Sequence, residues 1–145
     1  MKIALGADHR GDAALKALAP QLRAAGHEIQ ILGDCSGQPC DYPDQAYMVA
    51  KAIADGEAER GILICGSGNG MQIAANKVRG VRAALAWSEE TARLAREHND
   101  ANVLSVPARM ISPDEVKKVI KSFLDAKFEG GRHARRVDEI SEMEK

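Results

Sequence analysis

The stretch Gly61-Ile62-Leu63-Ile64-Cys65, followed by Gly66-Ser67-Gly68-Asn69-Gly70, constrains this chain more than any other. A short apolar run bounded by turn residues reads as a buried parallel strand. Met71, Ile73, Ala74 and Val78 then recur at helical spacing, so the glycine run is the tight turn between a strand and a helix. Glycine at 66, 68 and 70 allows positive φ and close approach of backbone to a ligand. N–H groups at a helix start carry partial positive charge and suit an anion or a developing oxyanion. Cys65 stands beside that turn, where a thiol is expected to be more acidic than usual and the thiolate is the reactive form. A plain turn around a core cysteine would use the same residues, since free cysteines are commonly buried.

The remainder of the chain repeats the alternation. Lys2 to Ala7 reads as a first strand ending in Asp8-His9-Arg10-Gly11. Ala14, Leu15, Leu18 and Leu22 mark a helix that Pro20 is expected to kink or split and Gly26 to end. His27 to Leu32 gives a second strand, Gly33 to Pro43 a loop, and a helix starts at Asp44 and stops at Gly56. Val81 to Trp87 is a fourth strand, and Ser88 with Glu89 and Glu90 opens a helix to about His98. Asn102 to Val106 is a fifth strand. Ser112-Pro113-Asp114-Glu115 then starts a helix that Gly130-Gly131 breaks. From Arg132 a polar helix carries only Val137, Ile140 and Met143 as an apolar stripe. That stripe has little to cover in its own domain, so a partner subunit is the expected acceptor, with packing on its own domain the alternative.

Strands alternating with helices predict one α/β domain over residues 1–145, a five-stranded parallel sheet between two helical layers. With aromatics at 3 %, its core must be aliphatic. The net charge of −1 gives no footing for a nucleic-acid or membrane surface. With no 18-residue apolar run and no signal peptide pattern, the cytoplasm is the expected location. There structural disulfides are not expected among Cys35, Cys40 and Cys65. The Cys35/Cys40 spacing fits metal ligation, but no second pair supports it.

In such sheets ligands bind beyond the carboxyl ends of the strands, at the point where strand order reverses. Asp8-His9 and Cys65-Gly66-Ser67 both fall there and offer acid–base groups working near neutral pH. An N-cap carboxylate beside an exposed histidine is the plainer alternative. His98-Asn99-Asp100 precedes a strand, so it lies at the other end of its own sheet and reaches a site most simply in a neighbouring subunit. Arg132 and Arg136 share a helical face suited to gripping a phosphate, or simply to solvation. The glycine turn is neither G-x-G-x-x-G nor a P-loop, so nucleotide cofactors find no support.

Six motifs, in order, carry a resemblance: Gly6-Ala7-Asp8-His9-Arg10-Gly11, Asp41-Tyr42-Pro43, Ile64 to Gly70, Ala74-Ala75-Asn76-Lys77, His98-Asn99-Asp100-Ala101-Asn102-Val103 and Gly130-Gly131-Arg132-His133. Together they resemble the B-type ribose-5-phosphate isomerases, a family that includes galactose-6-phosphate isomerase subunits. The resemblance implies a Rossmann-like α/β/α sandwich and a metal-free, cofactor-free aldose–ketose isomerase of the pentose phosphate pathway. It would work through an enediolate in a homodimer or dimer of dimers, with the active site at the subunit interface. It makes Cys65 the base, and has Ser67 and the amides of Gly66, Gly68, Asn69 and Gly70 hold the enediolate oxygen. Asp8 and His98 open the sugar ring, and Tyr42 and Asn99 contact its hydroxyls. His9, Arg109, Arg132 and Arg136 bind phosphate, with His98, Asn99 and Arg109 supplied by the partner. One branch of the family has a glutamate base just after the glycine turn. Met71 stands there in this chain, which points to the cysteine branch. Open alternatives are an isomerase of allose or galactose 6-phosphate, a non-catalytic sugar-phosphate-binding subunit, and a hydrolase using Cys65 as nucleophile.

Overall fold

The computed structural model describes residues 1–33 and 38–144. Five strands, β1 (Lys2–Ala7), β2 (Glu28–Gly33), β3 (Arg60–Cys65), β4 (Ala83–Leu85) and β5 (Val103–Pro107), form one parallel sheet in the order β2-β1-β3-β5-β4. Alternation along the strands divides two cores. Ile3, Leu5, Ile62, Ile64, Leu104 and Val106 face one side. Ala4, Leu63, Cys65 and Val103 face the other. The first side is covered by α1 (Asp12–Ala24), α4 (Glu89–Asn99) and α5 (Pro113–Asp125) through Leu15, Leu18, Ala92, Val119 and Phe123. The second is covered by α2 (Tyr42–Ala54) and α3 (Asn69–Ala75) through Ala46, Val49, Met71 and Ala75. This is the expected three-layer sandwich. Strand order reverses between β1 and β3, so Asp8 and Cys65 are neighbours at the carboxyl edge.

Local expectations hold with instructive exceptions. Helix α1 runs unbroken through Pro20. Pro20 is exposed, while Leu15, Leu18, Ala19 and Leu22 are buried on the opposite face. Their burial, about 1.5–3 kcal/mol per leucine, outweighs a proline cost of about 3 kcal/mol. Helix α2 begins two residues earlier than expected, making Tyr42 its first residue rather than a loop residue. Ser88 and Ser112 cap α4 and α5 as expected, accepting from the N–H groups of Thr91 and Glu115.

Helix α5 stops at Asp125, before the glycine pair, because Ala126 is already extended. The C-terminal helix α6 (Arg132–Glu142) buries His133 and Val137 in its own chain. Its far end is tied down where Glu144 accepts from the Gly80 amide and Arg79. Ile140 and Met143 stay exposed, so the apolar stripe is divided between own-domain packing and an uncovered end. Cys40 is disulfide-bonded, which corrects the expectation that it stays reduced and withdraws it from metal ligation. Cys35, the other cysteine of that spacing, lies outside the described residues. Among the described residues no helix is long and apolar enough to cross a membrane.

Candidate active site

Parallel pairing sets the site. Gly6 and Ala7 of β1 pair with Leu63 and Ile64 of β3, and Cys65 pairs with Pro107 of β5. The chains leaving the three strands therefore meet at one edge. The Ala108 N–H donates to the Cys65 carbonyl at 2.8 Å and the Arg109 N–H to the Gly66 carbonyl at 3.1 Å. A cavity of about 520 Å³ opens there, lined by Asp8, Arg10, Tyr42, Cys65, Gly66, Ser67, Gly70, Arg109 and Met110.

Beneath the cavity the glycine turn is shaped by contacts that leave no room for side chains. Gly68 has φ 81°, and a Cβ there would lie 2.5 Å from Leu85 and 3.3 Å from the Ser105 hydroxyl. Ser105, fully buried on β5, donates to the Gly68 carbonyl at 2.7 Å and anchors the turn from below. A Cβ on Gly70 would meet the Tyr42 ring at 2.4 Å, so glycine here lets the phenol lie across the start of α3.

Cys65 is 5 % exposed, and its Sγ accepts the Gly68 N–H at 3.0 Å. The Met71 N–H also acts on the sulfur. Donors expected to face a substrate oxygen are thus directed at the thiol, and the Asn69 N–H reaches the Ser67 hydroxyl at 3.4 Å. Burial raises the Cys65 pKa, the charge of Asp8 raises it further, and the two amides pull against both. The net shift is upward, which corrects the expectation of an acidified thiol. Asp8 Oδ1 accepts from the amides of Arg10 and Gly11 at 2.9 and 2.8 Å, holding the carboxylate beside the sulfur. Among the described residues no hydrogen bond is made to its Oδ2.

The predicted residues divide into two groups. Asp8, Tyr42, Cys65, Gly66, Ser67, Gly70 and Arg109 line the cavity, with Gly68 and Asn69 in the turn under it. Arg109 lines its own chain's cavity, where a partner's was expected, because β5 lies next to β3 and delivers it. His9 is exposed on the adjoining turn. His98, Asn99, Arg132 and Arg136 are elsewhere. Asn102, shortly after His98, accepts at its carbonyl from the Gly61 N–H, which places this segment at the amino end of β3.

There the rings of His98 and His133 stack with centroids 4.2 Å apart, and Glu129 lies 3.6 Å from His98 Nε2. Burial, His98 and Arg132 lower the His133 pKa. His98, Glu129 and His133 bring possible metal-ligand atoms within 4.8 Å. The rings are parallel to within 11°, so their in-plane lone pairs do not converge on one ion. Asp100, which follows, is left-handed at φ 48° and is gripped by Arg96 and Arg82. Sequence reasoning passed over Arg10 and Ser105 as site residues. Arg10 stood inside a quoted motif, whereas only the sheet order reveals Ser105.

A family model described as Ribose/Galactose Isomerase matches residues 3–140. The chain belongs to the ribose/galactose isomerase family. Its class of activity is aldose–ketose isomerisation. Ribose-5-phosphate isomerase B of Escherichia coli is 42 % identical over 143 residues, covering 99 % of this chain and 96 % of the relative. The solved ribose-5-phosphate isomerase B of Clostridium thermocellum superposes with a TM-score of 0.97 at 44 % identity, covering 99 % and 97 % of the two chains. That of Mycoplasma genitalium, solved with bound ribulose-5-phosphate, gives 0.88 at 42 % identity, covering 99 % and 95 %. The Rossmann-like fold expected from the motifs is the fold these relatives share with this chain.

Proposed function

We propose that this protein interconverts ribose 5-phosphate and ribulose 5-phosphate through an enediolate, with Cys65 as the base and no metal. The observation that carries this reading is the setting of the thiol. Cys65 Sγ lines the sugar-sized cavity and accepts the Gly68 amide at 3.0 Å, with Asp8 close enough to act on its charge. Met71, where the other family branch has its carboxylate, is fully buried and holds no exchangeable proton. The thiolate takes the proton from C2 of the open-chain aldose and the resulting thiol returns it to C1, while the hydroxyl proton on O2 passes to O1. The amides of Gly68 and Met71 stabilise the thiolate before it takes the proton and after it has returned it. Ser67, at the mouth of the turn, supports the enediolate oxygen.

Ring opening requires proton donors and acceptors as well as the base. Asp8 supplies one from within the cavity. His98 and Asn99, at the far end of their own sheet, serve the site of a second copy, as do Arg132 and Arg136 toward the phosphate. The working form is then a homodimer or a dimer of dimers. The test is turnover of ribose 5-phosphate in EDTA, with allose and galactose 6-phosphates alongside and Cys65→Ala as control. Chelator-resistant pentose turnover that disappears in Cys65→Ala is the expected result. Near-normal activity in that variant overturns the cysteine base, and turnover of a hexose alone changes the substrate.

A further inference from the structure

Arg10 occupies a position that none of the roles above explains. Its backbone is fixed, because its N–H donates to Asp8 Oδ1 at 2.9 Å in the turn that ends β1. Its side chain leaves that turn over Gly66, with Cδ 3.2 Å from the point a Gly66 Cβ would occupy. The Arg109 Cδ lies 3.9 Å from the same point, arriving from β5 on the other side of β3. Gly66 is thus a bare floor crossed by two arginine stems, and both residues line the cavity that holds Cys65.

Among the described residues neither guanidinium group has a counter-charge. Arg82, Arg93, Arg96 and Arg135 each sit on a carboxylate. Among the described residues neither Arg10 nor Arg109 forms an ion pair. The carboxylate that lines their cavity, Asp8, has Oδ1 committed to two backbone amides. Two unpaired guanidiniums brought to one rim repel each other unless an anion lies between them, and their planar forks match the oxygens of a phosphate.

We propose that Arg10 is a substrate-binding residue that, with Arg109, grips the phosphate of the sugar from the same subunit that supplies the cysteine. This rests on the isomerase reading only in taking the anion to be the substrate's phosphate. The subunit that moves the proton then holds the phosphate as well, and residues from a second copy add to a grip already begun. Arg10 thereby favours sugars that carry a terminal dianion.

The test uses Arg10→Gln, which keeps length and loses charge, and Arg10→Lys. Kd for inorganic phosphate is measured by titration calorimetry on the full chain, and kcat and KM with ribose 5-phosphate. Arg10→Gln is expected to weaken phosphate binding and raise KM by about tenfold, the loss of one charge-assisted contact. The change falls mainly on KM, and Arg10→Lys recovers part of it. Unchanged phosphate affinity and KM in Arg10→Gln overturn the proposal, as does a loss confined to kcat. Weakened phosphate binding in a protein that isomerises no sugar phosphate upholds the anion site and overturns the isomerase reading instead.

Discussion

Replacing Gly11 by alanine tests how the site is braced against the sheet. Gly11 has φ −92°, which any residue adopts, so its cost is purely one of space. A Cβ there would lie 2.0 Å from the Ile64 carbonyl oxygen and 2.5 Å from its carbon, backbone atoms of the central strand that cannot swing aside. Ordinary non-bonded separation is about 3.5 Å, so relief requires more than ~1 Å of movement of α1 away from β3. Overpacking of this kind costs about 1–3 kcal/mol. The movement also stretches the Gly11 N–H bond to the Asp8 carboxylate, now 2.8 Å, at about 1.5–3 kcal/mol for a charged acceptor. A total of about 2.5–6 kcal/mol follows. With an unfolding entropy of about 0.3 kcal/mol/K for a chain of this size, Tm should fall by roughly 8–20 °C. Gly26→Ala is the control. Its φ of 97° strains an alanine, but nothing lies within 4 Å of the new Cβ, so only about 1 kcal/mol and roughly 3 °C are expected. Thermal melts of the two variants decide the matter. Equal Tm losses would refute the argument from helix-to-strand contact.

Two further outcomes follow from charge. Asp8 raises the Cys65 pKa, so Asp8→Asn, which keeps the oxygen that caps the Arg10 and Gly11 amides, should lower it. Alkylation of Cys65 by iodoacetamide at fixed neutral pH should accelerate, and an equal or slower rate counts against electrostatic coupling of the pair. His133 has its pKa lowered from 6.5 by burial, then by His98 and Arg132, with Arg136 acting in the same sense and Glu129 opposing. The folded state thus binds this proton more weakly than the unfolded chain. The stability involved is complete above the ordinary imidazole range and is lost as pH falls through it toward the lowered value. His133→Gln should flatten the acid side of the stability profile, and an unchanged acid side would show that the stack carries no such linkage.

Much of this was legible because it is local. Apolar runs ending in Cys65 or Ala7, the spacing of Val116, Val119 and Phe123, and the serine caps each announce themselves within a few residues. The thiol's acidity was misread because a sequence shows the turn but neither the burial of Cys65 nor Asp8, which reaches it only through β1–β3 pairing. The place of Arg109 in its own chain's cavity is hidden for a similar reason, since β5 lies next to β3 only in the folded order. Pro20 misled in the opposite sense. Its local penalty is real, but the leucines on the buried face of the same helix decide the outcome.

The sheet order has a consequence for how the chain assembles. Strand β3 is paired with β1 and β5, neither of which is its neighbour in sequence: Leu5 meets Ile62, and Ile62 meets Leu104. No hairpin can build this strand into place, and two long loops must close before it is flanked on both sides. Cys65, at its end, is sealed beneath the glycine turn only when β5 has arrived to present Ser105. The moment the thiol vanishes from solvent during refolding therefore times the arrival of β5 beside β3, so one native side chain serves as a clock for the joining of the two central strands.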